Sequence, residues 1–270
     1  MSRKIEKLSG FAVVTGASSG IGLELAKLAA GDGCSLLLAA DTDLTGAEAA
    51  IEAAGAVQVD TVQCDLATED GVNSLLEAIG ERPVDVLFAN AGHGLGGGFL
   101  DQDWTEAKHV LDTNITGTIR VVQEVGRAMR ARNKGRILLT GSIAGHIPGS
   151  FQLVYNSTKA FIDDFANGLR NELKDTEVVV TCLEPGATDT EFFDRAGMQD
   201  TSVGKSDSKA DPAKVAKDGY DALLADKSQV VSGLMNKVQA LFADILPDTV
   251  MAEMHRRMAE PEREKETAGA

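Results

Sequence analysis

The sequence predicts an α/β protein, a doubly wound parallel sheet of about seven strands with helices on both faces. Three observations predict it. Short apolar runs alternate with longer amphipathic ones along most of the 270 residues. The short runs are apolar at successive positions, so both their faces must be covered, as parallel strands between two helical layers are. A glycine-rich turn separates the first short run from the first helical pattern.

The strands are expected at Phe11–Thr15, Ser35–Ala40, Val57–Cys64, Val84–Asn90, Arg136–Ser142, Val178–Pro185 and Gln229–Ser232. Between them, helical spacing of apolar residues runs over Ile21–Gly31, Leu44–Ala54, Glu69–Ile79, Thr105–Arg130 and Tyr155–Leu173. Asp211 followed by Pro212 reads as an N-cap with proline at the first helical position. Residues 187–210 break the rhythm with a long irregular stretch, expected to be a lid over a binding site. Two more helical runs follow near Leu234–Leu246 and Thr249–Met258. With neither linker nor repeat, residues 1–258 read as a single domain, lid and C-terminal helices included. The charged tail 259–270 reads as disordered.

Composition narrows the functions. Hydrophobic residues make up 43% of the chain, enough for a full core. Against 26 basic residues stand 41 acidic ones, a net charge of -15. Such a surface repels nucleic acid and anionic lipid, so neither is an expected partner. A small anionic cofactor still fits, because backbone dipoles bind phosphate whatever the net charge. The polar N-terminus carries no signal-peptide pattern, and no apolar run is long enough for a membrane span. Cys34, Cys64 and Cys182 lie far apart in strand-like segments and read as reduced core thiols. A cytoplasmic location is expected.

The stretch "VVTGASSGIG" places Gly16, Gly20 and Gly22 between the first strand and the first helix. Bare backbone there lets a pyrophosphate approach closely, and the helix points its free N–H groups at the charge. Ser18, Ser19 and Ile21 share that turn. At the end of the second strand Asp41 is placed to bond the adenosine ribose. Asp65, with Leu66, follows the third strand as a candidate for the adenine edge. Both aspartates have a plainer reading as caps of the loops after their strands.

A second constellation carries chemistry. Tyr155 and Lys159 are four apart on a helix, hence on one face. An ammonium about 4 Å from the phenol favours the phenolate by about 4 kcal/mol at an effective dielectric near 20, enough to bring the proton within range of neutral pH. Ser142 ends a strand, where open parallel sheets gather their catalytic groups. Asn114 lies inside a long helix, where asparagine is a poor helix former. It is read as a bend that binds a water, or as a side chain bonded to its own helix. His93 and His146 read as loop histidines with ordinary partners.

Together these residues resemble the short-chain dehydrogenase/reductase family over Phe11 to Thr190. Thr15–Gly22 matches the family's T-G-x-x-x-G-x-G turn. Ala89, Asn90, Ala91 and Gly92 are similar to its N-N-A-G, with alanine in the first place. Asn114, Ser142, Tyr155 and Lys159 fall in order on its catalytic tetrad. Pro185, Gly186 and Thr188 resemble its proline-glycine segment, with Thr188 implied to bond the nicotinamide carboxamide.

The resemblance implies a Rossmann-type fold and a hydride transfer between a nicotinamide cofactor and a substrate carbon. It makes Tyr155 the general acid and base, with Ser142 bonding the substrate oxygen. Lys159 lowers the phenol's pKa and bonds the nicotinamide ribose, and Asn114 holds a water. NADP-preferring members carry a basic residue where this chain has Ser19 or Asp41, so NAD is expected over NADP.

The segments expected to wall the substrate site are 93–98, 146–154 and the lid with Phe192, Phe193 and Met198. They are apolar and lack clustered cations, which favours a neutral secondary alcohol, ketone or aldehyde. The helix from Tyr155 shows one apolar stripe through Ile162, Ala166, Leu169 and Leu173, and a second through Phe161 and Phe165. So wide an apolar surface, with the resemblance, implies a homodimer or homotetramer. No metal site is expected. The alternatives are a nucleotide-bound epimerase or dehydratase on the same fold, and a non-catalytic NAD-sensing or scaffold protein.

Overall fold

The structure, a computed structural model, describes residues 3–233, 235–238 and 246–262. Seven strands form one sheet in the order β3-β2-β1-β4-β5-β6-β7, every neighbouring pair parallel. They are β1 (Phe11–Thr15), β2 (Ser35–Ala40), β3 (Val59–Gln63), β4 (Val84–Ala89), β5 (Gly135–Thr140), β6 (Val178–Glu184) and β7 (Gln229–Val231). This is the doubly wound, Rossmann-type sheet the alternating pattern predicts. Strand β3 starts two residues later than its apolar run because Val57 is exposed at the sheet's edge.

The helices are α1 (Gly20–Gly31), α2 (Thr45–Ala53), α3 (Glu69–Ile79), α4 (Trp104–Leu111), α5 (Thr118–Ala131), α6 (Leu153–Glu172), the short α7 (Phe192–Arg195), α8 (Pro212–Leu224) and α9 (Asp248–Ala259). One core layer packs β-strand residues such as Val14, Leu36 and Phe88 against α1, α2 and α8. The other packs Val13, Leu87 and Leu139 against α3, α5 and α6. Alternate residues of each central strand thus enter opposite layers, which is why these strands are apolar throughout. The Asp211 side chain caps α8 through the Ala213 N–H at 2.9 Å.

Three features refine the sequence reading. The expected helix from Thr105 to Arg130 is two helices joined by a π-helical turn over Asp112–Gly117, centred on Asn114. The lid is a folded excursion: Thr188 and Ala210 pair as a β-bridge that joins its ends, and Met198 and Thr201 are fully buried within it. Of the tail expected to be disordered from 259, Ala259 is buried against Phe193, Ala196 and Met198, and the Glu262 N–H bonds the Asp200 carbonyl at 3.0 Å. Residues 263–270, and most of the expected helix 234–246, lie outside the described residues.

All three cysteines are free and buried. Ile162, Ala166 and Leu173 of the first α6 stripe face the core of their own chain. The second stripe leaves Phe161 exposed, stacked on Phe165 with ring centroids 6.0 Å apart. Among the described residues no helix is long and apolar enough to cross a membrane.

Candidate active site

Because β1 and β4 are neighbours, the chain leaves their tips toward opposite faces of the sheet, and a cleft opens at their carboxyl ends. A cavity of about 890 Å³ occupies it. Gly16, Ser18, Ser19, Gly20 and Ile21 line it from the first turn, Asp41, Asp65 and Leu66 from the next two strand ends, and Asn90, Ala91 and Gly92 from the fourth. Ser142, Tyr155, Lys159, Pro185, Gly186 and Thr188 line the same cavity. Two expected site residues, Gly22 and Asn114, stand one layer behind its wall.

The first turn needs its glycines. Gly16 and Gly20 have positive φ, at 65° and 56°. A Cβ on Gly22 would lie 2.1 Å from the Gly16 carbonyl oxygen, so that residue keeps the turn folded against α1. The α1 N-cap, Ser19, makes no side-chain cap, and the first turn of α1 has no acidic residue. Asn90 ties the strand tips together: its amide donates to the Thr15 carbonyl at 3.3 Å, and its oxygen accepts from the Thr140 hydroxyl at 3.0 Å.

Ser142 follows β5, which ends two residues earlier than the sequence implies, and caps the 3-10 turn Ile143–His146, its hydroxyl accepting from the Ala144 N–H at 3.1 Å. Tyr155 and Lys159 share one face of α6, with the ammonium 5.7 Å from the centre of the phenol ring. That ammonium is buried and donates to the Thr140 carbonyl at 2.8 Å. The Asn114 amide group donates to the His93 carbonyl and the Thr158 hydroxyl, both at 2.9 Å, and its oxygen accepts from the His93 N–H at 2.7 Å. The side chain therefore clamps the glycine loop after β4 to α6.

The phenol is less acidic in the structure than helical spacing alone implies. Burial pushes Tyr155 up to about 12; the Ser142 hydroxyl pulls it down and the Asp163 charge pushes it further up. Burial is the largest of these causes, and helical spacing carries no information about it. Burial likewise holds the Lys159 ammonium below the ordinary lysine range, against the pull of Asp163.

Around these residues the cleft gathers some that the sequence reading named, Phe192, Asp65 and His93, and others that it did not, Arg195, His109, Asn236 and His255. Phe192 of α7 lies against the Tyr155 ring, centroids 4.9 Å apart. Arg195 of the same short helix pairs with Asp41 across the cleft. Asp65 accepts from the Ala67 N–H at 2.9 Å as a loop cap, and its second oxygen lies 3.3 Å from His109. Asn236, Met235, His255 and Met258 line the cavity from the C-terminal region. His93 lines it too, and burial, with His109 and Arg195 beside it, pushes its pKa down. His146 and Met198 are absent from the lining; Met198 packs behind the wall near the position a Gly96 Cβ would take. No local pattern marks Arg195 or His255, because each reaches the cleft from an excursion far along the chain.

The short chain dehydrogenase family model matches residues 10–200, and the chain belongs to that family. A 3-dehydrosphinganine reductase of Arabidopsis thaliana is 32% identical over 227 residues, covering 80% of this chain and 68% of that protein. A short-chain dehydrogenase from Sphingobium yanoikuyae, solved in complex with NADPH, superposes with a TM-score of 0.79 at 25% identity, covering 87% and 93% of the two chains. A Burkholderia phymatum member, solved with NAD, has the same fold, with a TM-score of 0.78 at 24% identity over 89% and 95%. The protein is an oxidoreductase of the type that uses a nicotinamide cofactor.

Proposed function

We propose that this chain transfers a hydride between NAD and a secondary alcohol or the corresponding ketone or aldehyde of mostly apolar character, with Tyr155 as general acid and base. The observation that carries the proposal is the meeting of Ser142, Tyr155 and Lys159 with the glycine turn in one cavity at the tips of β1 and β4. The glycine turn fits a dinucleotide, since a side chain at Gly22 would fill the space against its own backbone. The first-turn N–H groups of α1, free of any acidic neighbour, suit a pyrophosphate. Asp41 suits the adenosine ribose, Asp65 and Leu66 the adenine, and Asn90, Ala91 and Gly92 the central span. Pro185, Gly186 and Thr188 suit the carboxamide end, and Lys159 the nicotinamide ribose. The chemistry such a nucleotide supplies when bound is the hydride.

The chain's own residues manage the proton. Held at about 12, the Tyr155 phenol keeps its proton at neutral pH. It can therefore protonate a carbonyl oxygen as the carbon is reduced, and the phenolate so formed takes the proton back when the reaction runs the other way. Ser142 bonds that oxygen, and Lys159 offsets the charge left on the phenol. Ile143, Ile147, Phe192, Phe193 and Met258 supply the apolar wall.

The Asp41 carboxylate disfavours a 2′-phosphate, and Arg195, paired with it, softens that effect. NAD should bind ahead of NADP, by a margin that grows in Arg195→Ala; tighter binding of NADP in titrations would overturn the reading of Asp41. The exposed Phe161 face of α6 suits a contact between copies in a homodimer or homotetramer. The function itself is tested by NADH oxidation across a panel of ketones and aldehydes. Turnover that is lost in Tyr155→Phe is expected. Tight nucleotide binding with no turnover on any of them would favour a sensor instead.

A further inference from the structure

Behind Ser142, on the side of α6 turned toward β6, three ionisable side chains meet that the proposed reaction does not use. Glu184 ends β6 and is fully buried; Asp163, one helical turn beyond Lys159, is 8% exposed. Nε2 of His146 lies 2.9 Å from a Glu184 oxygen. One nitrogen or oxygen from each of the three falls within 4.8 Å of the other two. The remaining oxygens, Oδ2 of Asp163 and Oε1 of Glu184, are buried without a hydrogen-bond partner.

The surrounding chain is shaped for this group. A Cβ on Gly141 would lie 1.7 Å from Oδ1 of Asp163, and one on Gly145 2.2 Å from Oδ2. Two glycines of the segment "TGSIAG" thus make room for one carboxyl group. Its Oδ1 accepts from the Ser142 N–H and from the Cys182 thiol, both at 3.4 Å. Cys182 and Glu184 face it from β6, Lys159 and Tyr155 from its own helix, and His146 from the 3-10 turn.

Two buried carboxyl groups with oxygens within 4.8 Å, each with one oxygen unsatisfied, are costly to keep fully charged even beside Lys159 and His146. A proton held between them satisfies both. We propose that Asp163 and Glu184 share one proton at neutral pH, with the partly exposed His146 as its route to solvent. The cluster then acts as a charge switch behind the catalytic residues. In support, burial and the Glu184 charge push Asp163 up to about 7. When the proton leaves, the added negative charge favours the Lys159 ammonium and opposes ionisation of Tyr155. Asp163 and Glu184 are thus positioning residues for the two groups that handle the substrate's proton. This consequence for turnover rests on the function proposed above; the shared proton does not.

The test is infrared difference spectroscopy on the full chain, which reads protonated carboxyl groups directly and needs no substrate. In slightly acid buffer one protonated-carboxyl band is expected, fading as the buffer is made mildly alkaline. Carboxyl-labelling of aspartate with carbon-13 should shift that band in the wild-type chain. Asp163→Asn and Glu184→Gln, each checked for folding by circular dichroism, should each abolish it, because neither acid holds the proton alone. Should one variant fail to fold, the other and the labelled wild type still decide. The proposal is overturned by absence of the band in the acid buffer, by its survival in a folded variant, or by its appearance only after dialysis against a chelator, which would assign the site to a divalent cation. Once a substrate is in hand, the wild-type rate should show a pH step across the same range that Glu184→Gln lacks.

Discussion

Replacing Lys159 by methionine removes the positive charge and keeps most of the side chain's volume. The ammonium sits 5.7 Å from the phenol ring. With the phenolate charge taken at the ring centre and an effective dielectric of about 20, the ammonium stabilises it by about 3 kcal/mol. If Tyr155 carries a growing negative charge as it protonates the substrate, that energy is lost in the transition state, a fall of about a hundredfold in turnover. The assay is NADH oxidation with a carbonyl substrate found in the panel, at fixed pH, with nucleotide affinity measured separately by titration. The Thr140 carbonyl, which accepts from the ammonium at 2.8 Å, is left without its donor. A stability loss of about 1–3 kcal/mol should therefore accompany the substitution, and thermal unfolding sets the temperature for the kinetics. A folded Lys159→Met protein within a few-fold of the wild-type rate would refute the electrostatic role of this lysine.

Other substitutions probe the scaffold. Gly22→Ala pushes a methyl group onto the Gly16 carbonyl and should weaken nucleotide binding at least about fivefold, since overpacking costs about 1–3 kcal/mol; calorimetric titration reads it. Asp163→Asn should raise stability in alkaline buffer by about 1–4 kcal/mol, as removing a poorly matched buried charge does. The sign follows from linkage. A folded-state pKa raised above the unfolded one contributes stability in acid that is lost as pH rises through about 7, whereas asparagine does not titrate. Denaturant melts should therefore show the variant's advantage growing from acid to alkaline buffer. Phe192→Ala removes the ring packed on Tyr155 and should raise KM for apolar substrates more than it lowers kcat, because that contact serves binding in ground and transition states alike.

The sheet was legible because each central strand is buried on two sides, and burial on two sides writes itself as an unbroken apolar run. The glycine turn was equally legible, since positive φ at Gly16 and Gly20 leaves few other residues. Tyr155 and Lys159 share a helix, so their proximity could be counted along the chain. The structure parts from the sequence where contact depends on order across the sheet. β6 pairs with β5, which brings Glu184 beside His146 and Asp163, and nothing in the local pattern of any of the three announces it. The Asp41–Arg195 pair spans 154 positions. The π turn at Asn114 left one trace, a poor helix former in mid-helix. Helical spacing brings Lys159 near Tyr155 but says nothing of the burial that raises the phenol's pKa.

Whether Tyr155 handles the proton is settled most directly by comparing Tyr155→Phe with the wild type in two measurements on one sample: nucleotide affinity, and the rate of NADH oxidation with an active carbonyl substrate. The predicted result is unchanged affinity with a rate lower by about a hundredfold to ten-thousandfold, the span a positioned general acid contributes. Unchanged affinity with an unchanged rate would contradict it.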